Sequence, residues 1–282
     1  MVLAPLLATS FAVGCSSSEN RTRSTGDGGN QPHEDGGAGE AGGDAGPRLA
    51  DLLAGYEKAW SAADAERLGF LDACFADDGL YTDPIERAAG RDAFSTLIGG
   101  FQKQFPGATI SLSTGVDSFE DQFRYGWQIA LADGTPLMTG EDQGQIGKDG
   151  RIQRMTGFFD STAKVAAPRA VQALLRALNG TTAAGRLTDL ESAVVDGVSW
   201  TDRWMQGEGR AAVVDHLGTW LTPSQGTTFA SSGQVDLHDD QLRLDLTLTT
   251  GAATQEGQLF GHLTPEGLMD WVVFFDGPLP AP

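Results

Sequence analysis

Apolar residues recur along this chain with two different periods, and the changes of period mark its elements. Residues 48–62 read as a helix, because Leu52, Tyr56, Ala59, Trp60 and Ala63 fall on one face at the spacing of an amphipathic α-helix. A second helix is expected over 65–76, broken by Asp77-Asp78-Gly79. A short strand from Leu80 to Thr82 then leads into Asp83-Pro84. A third helix is expected over 91–105, stopped by Pro106-Gly107. Four strands follow. In the second of them Phe123, Tyr125, Trp127, Ile129 and Leu131 alternate with polar or small residues, so one face is expected to be buried. Asp133-Gly134 is a hairpin turn signal. The next strand runs from about 137 to 147, Lys148-Asp149-Gly150 turns it, and 151–160 is the last.

The pattern then repeats. Tyr81-Thr82-Asp83 is followed by Gly90-Arg91, and Trp200-Thr201-Asp202 is followed at the same spacing by Gly209-Arg210. Gly140, Gly144 and Gly150 match Gly257, Gly261 and Gly267 at one constant offset, and both stretches close on Phe-Phe-Asp, at 158–160 and 274–276. Self-similarity of this kind marks duplicated structural units. The units are expected to run from 48 to 165 and from 168 to 282, with Pro168 near the join. The second shows the cleanest alternation: Leu242, Leu244, Leu246 and Leu248 on one face, Arg243, Asp245, Thr247 and Thr249 on the other. Helices followed by an antiparallel run of strands predict an α+β class.

The amino-terminal 47 residues are of a different kind. Val2 to Gly14 are apolar or small, too short a run to span a bilayer and about the length of a signal-peptide core. Ala12-Val13-Gly14-Cys15 resembles a bacterial lipobox, although Ala12 stands where such signals usually carry Leu. Residues 1–15 thus read as a lipoprotein signal peptide with lipidation at Cys15; a plain secretory signal cut nearby is the alternative. Residues 16–47 are Gly, Ser and acidic residues with almost nothing apolar, the composition of a disordered tether. The chain is therefore expected to be exported and held at the cell envelope, meeting membrane only through its lipid anchor.

Composition narrows the chemistry. The 282 residues suffice for two domains of ordinary size, and 40% of them are hydrophobic. Lys and Arg number 19 against 38 Asp and Glu, a formal charge of −19. Such a chain repels phosphate backbones, so nucleic acid is not an expected partner. Cys15 and Cys74 are the only cysteines. Cys74 lies in an apolar run and reads as a small buried hydrophobe. His33, His216, His238 and His262 are scattered without ligand spacing, so no metal is expected. No P-loop or nucleophile elbow is present, and no cofactor is expected.

The first unit resembles the SnoaL-like branch of the nuclear-transport-factor-2-like superfamily, which includes the ketosteroid isomerases. The residues that carry the likeness are Tyr56, Phe75-Ala76-Asp77-Asp78-Gly79-Leu80-Tyr81-Thr82-Asp83-Pro84, Gly90-Arg91-Asp92-Ala93, Gly140-Glu141-Asp142, Asp149-Gly150-Arg151-Ile152 and Gly157-Phe158-Phe159. The resemblance implies two tandem cone-shaped domains, each with about three helices packed on a curved, mainly antiparallel sheet around an apolar pocket. Trp60, Tyr81, Trp127, Met138 and Phe158 would form its walls. It also implies roles: Asp83 as a proton-shuttling base, Tyr56 and a neutral Asp142 as donors to a developing oxyanion.

The residues have readings of their own. Tyr56 lies on the apolar face of its helix, where it can be core, and its buried hydroxyl needs a partner. Asp142 shares strand parity with Met138 and Ile146 and points inward with them, while Glu141 is expected to face water. An inward carboxyl is raised in pKa by burial, unless it caps the backbone or pairs with an Arg. Asp83 before Pro84 is also ordinary turn chemistry. In the second unit Leu174 or Leu175 aligns with Tyr56, and Leu259 with Asp142. That copy is expected to be catalytically silent, a packing partner or lid. Two functions stay open: cofactor-free proton transfer beside the carbonyl of a small apolar ring compound, or a binding module for a small ligand or an envelope partner. Pairing of the two units within one chain, or a homodimer, is also open.

Overall fold

The first helix forms where the apolar stripe predicts. Leu52, Leu53, Tyr56, Ala59 and Trp60 are buried along one face of α1 (Leu49–Ser61), and each large side chain contributes about 2 kcal/mol by leaving water. The computed structural model describes residues 48–159, 164–221 and 226–282. The expected lipidation site Cys15 and the linker 16–47 lie outside the described residues.

The first unit continues through α2 (Asp64–Cys74), β1 (Phe75–Thr82), β2 (Arg87–Ala89), α3 (Arg91–Gln104), β3 (Thr109–Leu112), β4 (Asp117–Phe119), β5 (Gln122–Ala130), β6 (Pro136–Ile146) and β7 (Ile152–Phe159). After β8 (Lys164–Ala166) the second unit repeats the plan: α4 (Arg169–Leu178), α5 (Ala183–Glu191), β9 (Val194–Asp202), β10 (Met205–Glu208), α6 (Arg210–Leu221), β11 (Thr227–Ala230), β12 (Gln234–His238), β13 (Gln241–Thr250), β14 (Ala253–Leu263) and β15 (Met269–Asp276). Among the described residues the sheets run β2-β1-β7-β6-β5-β3, with β4 on β5, and β10-β9-β15-β14-β13-β12-β8, with β11 on β13. The pairs β1–β7 and β9–β15 are parallel and the rest antiparallel. This is the expected α+β architecture, two cone-type units in tandem.

Three expectations need correcting. Asp77-Asp78-Gly79 does not delay the strand. β1 starts at Phe75, and the acidic stretch is a bulge across which the register against β7 shifts. Gly79 makes this workable, since a Cβ there would lie 2.5 Å from the Phe75 ring. Next, the first unit was expected to reach 165, but Lys164–Ala166 pairs with β12 and belongs to the second sheet; it covers backbone groups that an edge strand leaves open. Finally, the Phe-Phe-Asp match is one residue out of step. The offset that takes Gly140 to Gly257 takes Phe158 to Phe275 and Gly157 to Phe274, and the ladders agree: Asp142 pairs with Gly157, Leu259 with Phe274.

The glycines shared by β6 and β14 have a packing cause. A Cβ at Gly140 would lie 2.3 Å from the Trp127 ring, and one at Gly144 would lie 2.1 Å from the Phe123 ring. Rings from β5 therefore lean across β6 on both sides of Asp142. Each unit has its own core, one holding Tyr56, Trp60, Phe94 and Trp127, the other Leu174, Trp200, Leu217, Leu242 and Leu259. Cys74 is 1% exposed within the first, and burial pushes its thiol up to about 12.

The outer faces of the two sheets, where Glu141 was expected to face water, pack on each other. Arg124 is 1% exposed and Glu141 7%. The Arg124 guanidinium donates to Asp117 Oδ2 at 3.0 Å, to the Gly277 carbonyl at 2.6 Å and to Gln258 Oε1, and lies 4.7 Å from the Phe275 ring centre. Its repeat counterpart Arg243 donates to Asp236 Oδ2 at 2.7 Å and Glu141 Oε2 at 3.0 Å, and lies 5.0 Å from the Phe158 ring centre. Contacts thus come in matched pairs, as across a two-fold interface. Removing one partner of a buried ion pair strands the other charge and typically costs about 3–5 kcal/mol. Arg124→Ala is expected to lose that much in urea unfolding of the full chain; a loss under about 1 kcal/mol would show the network to be dispensable.

Candidate functional site

The inner face of β5 and β6 assembles the site. Counting outward from the Asp133-Gly134 turn puts Tyr125 opposite Asp142 and Trp127 opposite Gly140. Three donors converge on the Asp142 carboxyl: Trp127 Nε1 at 2.6 Å from Oδ1, Tyr125 Oη at 3.1 Å from Oδ2, and Tyr56 Oη, from α1, at 3.3 Å from the same oxygen. None of these partners carries a positive charge. Asp142 is 2% exposed. Burial pushes its carboxyl up to about 7, against the hydrogen bonds from Trp127, Tyr125 and Tyr56 that favour the charged form. Burial, and then Asp142, also hold the Tyr56 hydroxyl well above its usual value.

Asp83 directly follows β1, on the other side of Gly157. A Cβ at Gly157 would lie 3.0 Å from Asp142 Oδ1 and 3.6 Å from Asp83 Cβ, so this glycine leaves the space the two acids share. Asp83 Oδ1 accepts the backbone N–H groups of Ile85 and Glu86 at 2.7 and 2.8 Å, and Oδ2 accepts the Tyr81 hydroxyl at 2.9 Å. The turn chemistry is therefore real. A carboxylate offers about four acceptor positions; three are filled, which leaves one on Oδ2. Asp83 is 6% exposed, and burial raises its pKa in spite of these bonds.

Of the other expected wall residues, Trp60, Tyr81 and Trp127 lie in the first core and Met138 packs half-buried against it. Phe158 does not. It faces the second unit, clustered with Phe260 and Phe275, because the strand alternates and Phe159 takes the inward position. The interior is filled by aromatic rings: Tyr81 and Phe94 stack at 4.5 Å, and Trp60 meets Tyr81 edge-on at 5.9 Å. The Trp60 indole N–H is buried beside the Tyr56 hydroxyl. A ligand would have to take the place of one of these rings.

Tyr125 and Tyr81 were missed as donors. The hairpin register holds the signal for Tyr125, and the two-residue spacing to Asp83 holds it for Tyr81. In the second unit the counterpart of Asp83 is Asp202, as the repeat predicts; its partner His216 was missed. Asp202 Oδ2 accepts Trp200 Nε1 at 2.8 Å and faces His216 Nε2 at 2.6 Å, while Oδ1 accepts the Trp204 and Met205 N–H groups at 2.8 Å. Burial pushes this carboxyl up, but His216, Trp200 and the Trp204 N–H outweigh it and hold it below the ordinary value. The inward donors are gone: Leu259 and Leu174 stand buried in place of Asp142 and Tyr56, and Phe274 fills the position of Gly157. A cleft of about 360 Å³ lies on this unit between Trp204, Trp220, Gln255 and Asp276, next to the Asp202–His216 pair: the Trp220 ring stacks on His216 at 6.0 Å. Among the described residues no cluster of His, Cys, Asp and Glu suits a metal, and no helix is long and apolar enough to cross a membrane.

No family model matches the chain, and no curated protein does. Among solved structures it is similar to a SnoaL-like family protein of Agrobacterium tumefaciens, at 24% identity and a TM-score of 0.38 over 40% of this chain and 97% of that one. It is similar to an NTF2-like protein of unknown function from Exiguobacterium, at 19% and 0.34 over 39% and 99%. A third is a protein with a ketosteroid isomerase-like fold from Catenulispora acidiphila in complex with trimethylamine, at 15% and 0.34 over 39% and 86%. The structural neighbours are thus SnoaL-like, NTF2-like and ketosteroid isomerase-like proteins, each spanning about the share of one unit.

A raised acid makes stability depend on pH. The folded Asp142 carboxyl titrates near 7 and the unfolded one near 3.8. The folded state therefore binds the proton more tightly, and this contribution is present at low pH and lost as pH rises through 7. At about 1.4 kcal/mol per unit the change is on the order of 4 kcal/mol. Asp142→Asn should flatten the fall in stability between pH 4 and 7. An unchanged pH slope in the variant would mean that Asp142 is not the group responsible.

Proposed function

We propose that the first unit binds a small apolar ring compound through a carbonyl-type oxygen and moves a proton on the adjacent carbon, without a cofactor. The observation that carries this is the pair of buried donors, Tyr56 and Asp142, with oxygens 3.3 Å apart. Two hydroxyl-bearing groups at that separation can both donate to one third oxygen, the requirement for holding a developing oxyanion. Asp142 donates only when protonated, and burial keeps that form populated near neutral pH. Asp83, across Gly157, keeps one acceptor position and takes the proton. Its raised pKa brings it nearer the range where a base can also return the proton.

The aromatic filling of the interior favours a second reading, in which the unit holds a ligand or partner without changing it. The amino-terminal sequence supports placing either activity at the cell envelope, tethered through Cys15.

The full chain should convert a β,γ-unsaturated ring ketone to its conjugated isomer, followed by the rise in enone absorbance. Asp83→Asn is expected to lower turnover about 10²–10⁴-fold, the usual worth of a general base. Tyr56→Phe should lower it less and leave the near-ultraviolet circular dichroism unchanged. An Asp83→Asn rate equal to wild type would refute the role of Asp83. Saturable binding across a ketone panel with no conversion by wild type would favour the second reading.

A further inference from the structure

Of the six tryptophans Trp204 alone is exposed, at 52%. The turn that carries it does not ask for an indole. Its backbone N–H donates to Asp202 Oδ1 at 2.8 Å, and in the first unit the N–H of Ile85, at the corresponding position, donates to Asp83 Oδ1 at 2.7 Å. The Trp204 ring instead lines the cleft of about 360 Å³, together with Trp220, Leu248, Gln255 and Asp276. That volume lies toward the lower end of small-molecule sites, roughly 300–1,000 Å³. It suits a ligand of one or two rings.

The cleft joins a rigid aromatic wall to polar groups. Trp220 meets Trp204 at 5.0 Å between ring centres, Phe229 at 5.6 Å and Phe274 at 5.7 Å. His216, tied to the buried Asp202, lies parallel to it. The repeat shows that the polar groups are not owed to the fold. Gln255 stands where the first unit has Met138, and Asp276 where it has Phe159. The ladders agree: Leu248 pairs with Gln255 as Ile129 does with Met138, and Gly257 pairs with Asp276 as Gly140 does with Phe159. Met138 and Phe159 pack on the first core, whereas Gln255 is exposed. The unit whose deep interior is closed by Leu259 and Phe274 thus keeps a polar opening beside its β13–β14 turn, backed by Phe274 through Trp220.

Charge selects the ligand class. A formal charge of −19 on the chain disfavours an anion. Among the described residues Asp276 is the only charged group lining the cleft, and its Oδ1 already accepts Arg203 Nε at 2.8 Å, so it offers a cation little. A carboxylate has about four acceptor positions, so Asp276 keeps room beside Arg203, and the Gln255 amide both donates and accepts. An uncharged ring with an apolar face and hydroxyls at its edge matches both walls, because aliphatic C–H groups pack on the electron-rich face of an indole. We propose that the cleft of the second unit binds a neutral sugar ring, its C–H face on Trp204 and its hydroxyls hydrogen-bonded to Asp276 and Gln255. The second unit is then a ligand-binding unit in its own right, whether or not the first unit converts a ketone.

The test is ligand titration of the full chain by saturation-transfer NMR and calorimetry. The probes are glucose, galactose, mannose and N-acetylglucosamine, with choline and benzoate as charged controls. At least one sugar is expected to bind saturably, in the millimolar range or tighter, with saturation reaching its ring C–H protons. Trp204→Ile, which copies the first unit, should weaken that binding about tenfold or more, and Trp204→Tyr, which keeps a stacking face, should retain most of it. Gln255→Met, again the first unit's residue, should weaken it about threefold or more. Both side chains are exposed, so these variants leave the core intact, and ring-ketone conversion should not change in them. No saturable binding of any of the sugars, or binding that Trp204→Ile leaves unaltered, overturns the proposal. Binding of choline or benzoate in place of the sugars overturns the ligand class.

Discussion

Arg124 carries a full charge into a place where only 1% of its surface meets water. A charge so placed must be paired and its hydrogen-bond donors satisfied. Asp117 from its own sheet supplies part of that, and Gln258, the Gly277 carbonyl and the Phe275 ring of the second unit supply the rest. Arg243 makes the same demand in reverse, on Asp236, Glu141 and Phe158. Neither sheet can satisfy its arginine alone. The outer face of each unit is therefore built to be covered by the other, and the register of β5, β6, β13 and β14 is locked from both sides.

That constraint shapes the candidate site. Sealing the outer face fixes β6 between β5 and β7, so Asp142 is held with its carboxyl inward among Tyr56, Tyr125 and Trp127. Alternation along β7 then sends Phe158 outward to the interface and leaves Gly157 inward, between two acids. The second unit has the same frame with different contents. Leu259 and Phe274 fill the positions of Asp142 and Gly157, and an acid with no inward donors remains, paired to His216. Duplication followed by filling of one interior accounts for these differences. It leaves one unit with a buried polar cluster and the other with an ordinary apolar core.

Asp83, just after β1, and Asp202, the last residue of β9, show how a structural residue can also be a chemical one. Both close the following turn with one carboxylate oxygen and accept an aromatic donor two residues back with the other. The turn explains why an aspartate stands in both units. It does not explain why one is raised by burial and the other lowered, which follows from the imidazole of His216 touching only the second.

The sequence by itself determined the duplication, the order of elements, and the inward direction of Asp142, because these depend on spacing and parity within one chain segment. It also placed Tyr56 on the buried face of α1 and paired Tyr125 with Asp142 through the Asp133-Gly134 turn, although that pairing went unread. Tertiary structure decided what covers the outer faces. A polar residue in an alternating strand reads as wet, and nothing local distinguishes Glu141 or Arg124 from a solvated charge until a second sheet lies over them. The same holds for Phe158, whose parity follows from the alternation along β7 but whose neighbours come from the other unit. His238 is the clearest case: its ring lies 4.8 Å from the Phe158 ring only because two sheets with matched charges pack face to face.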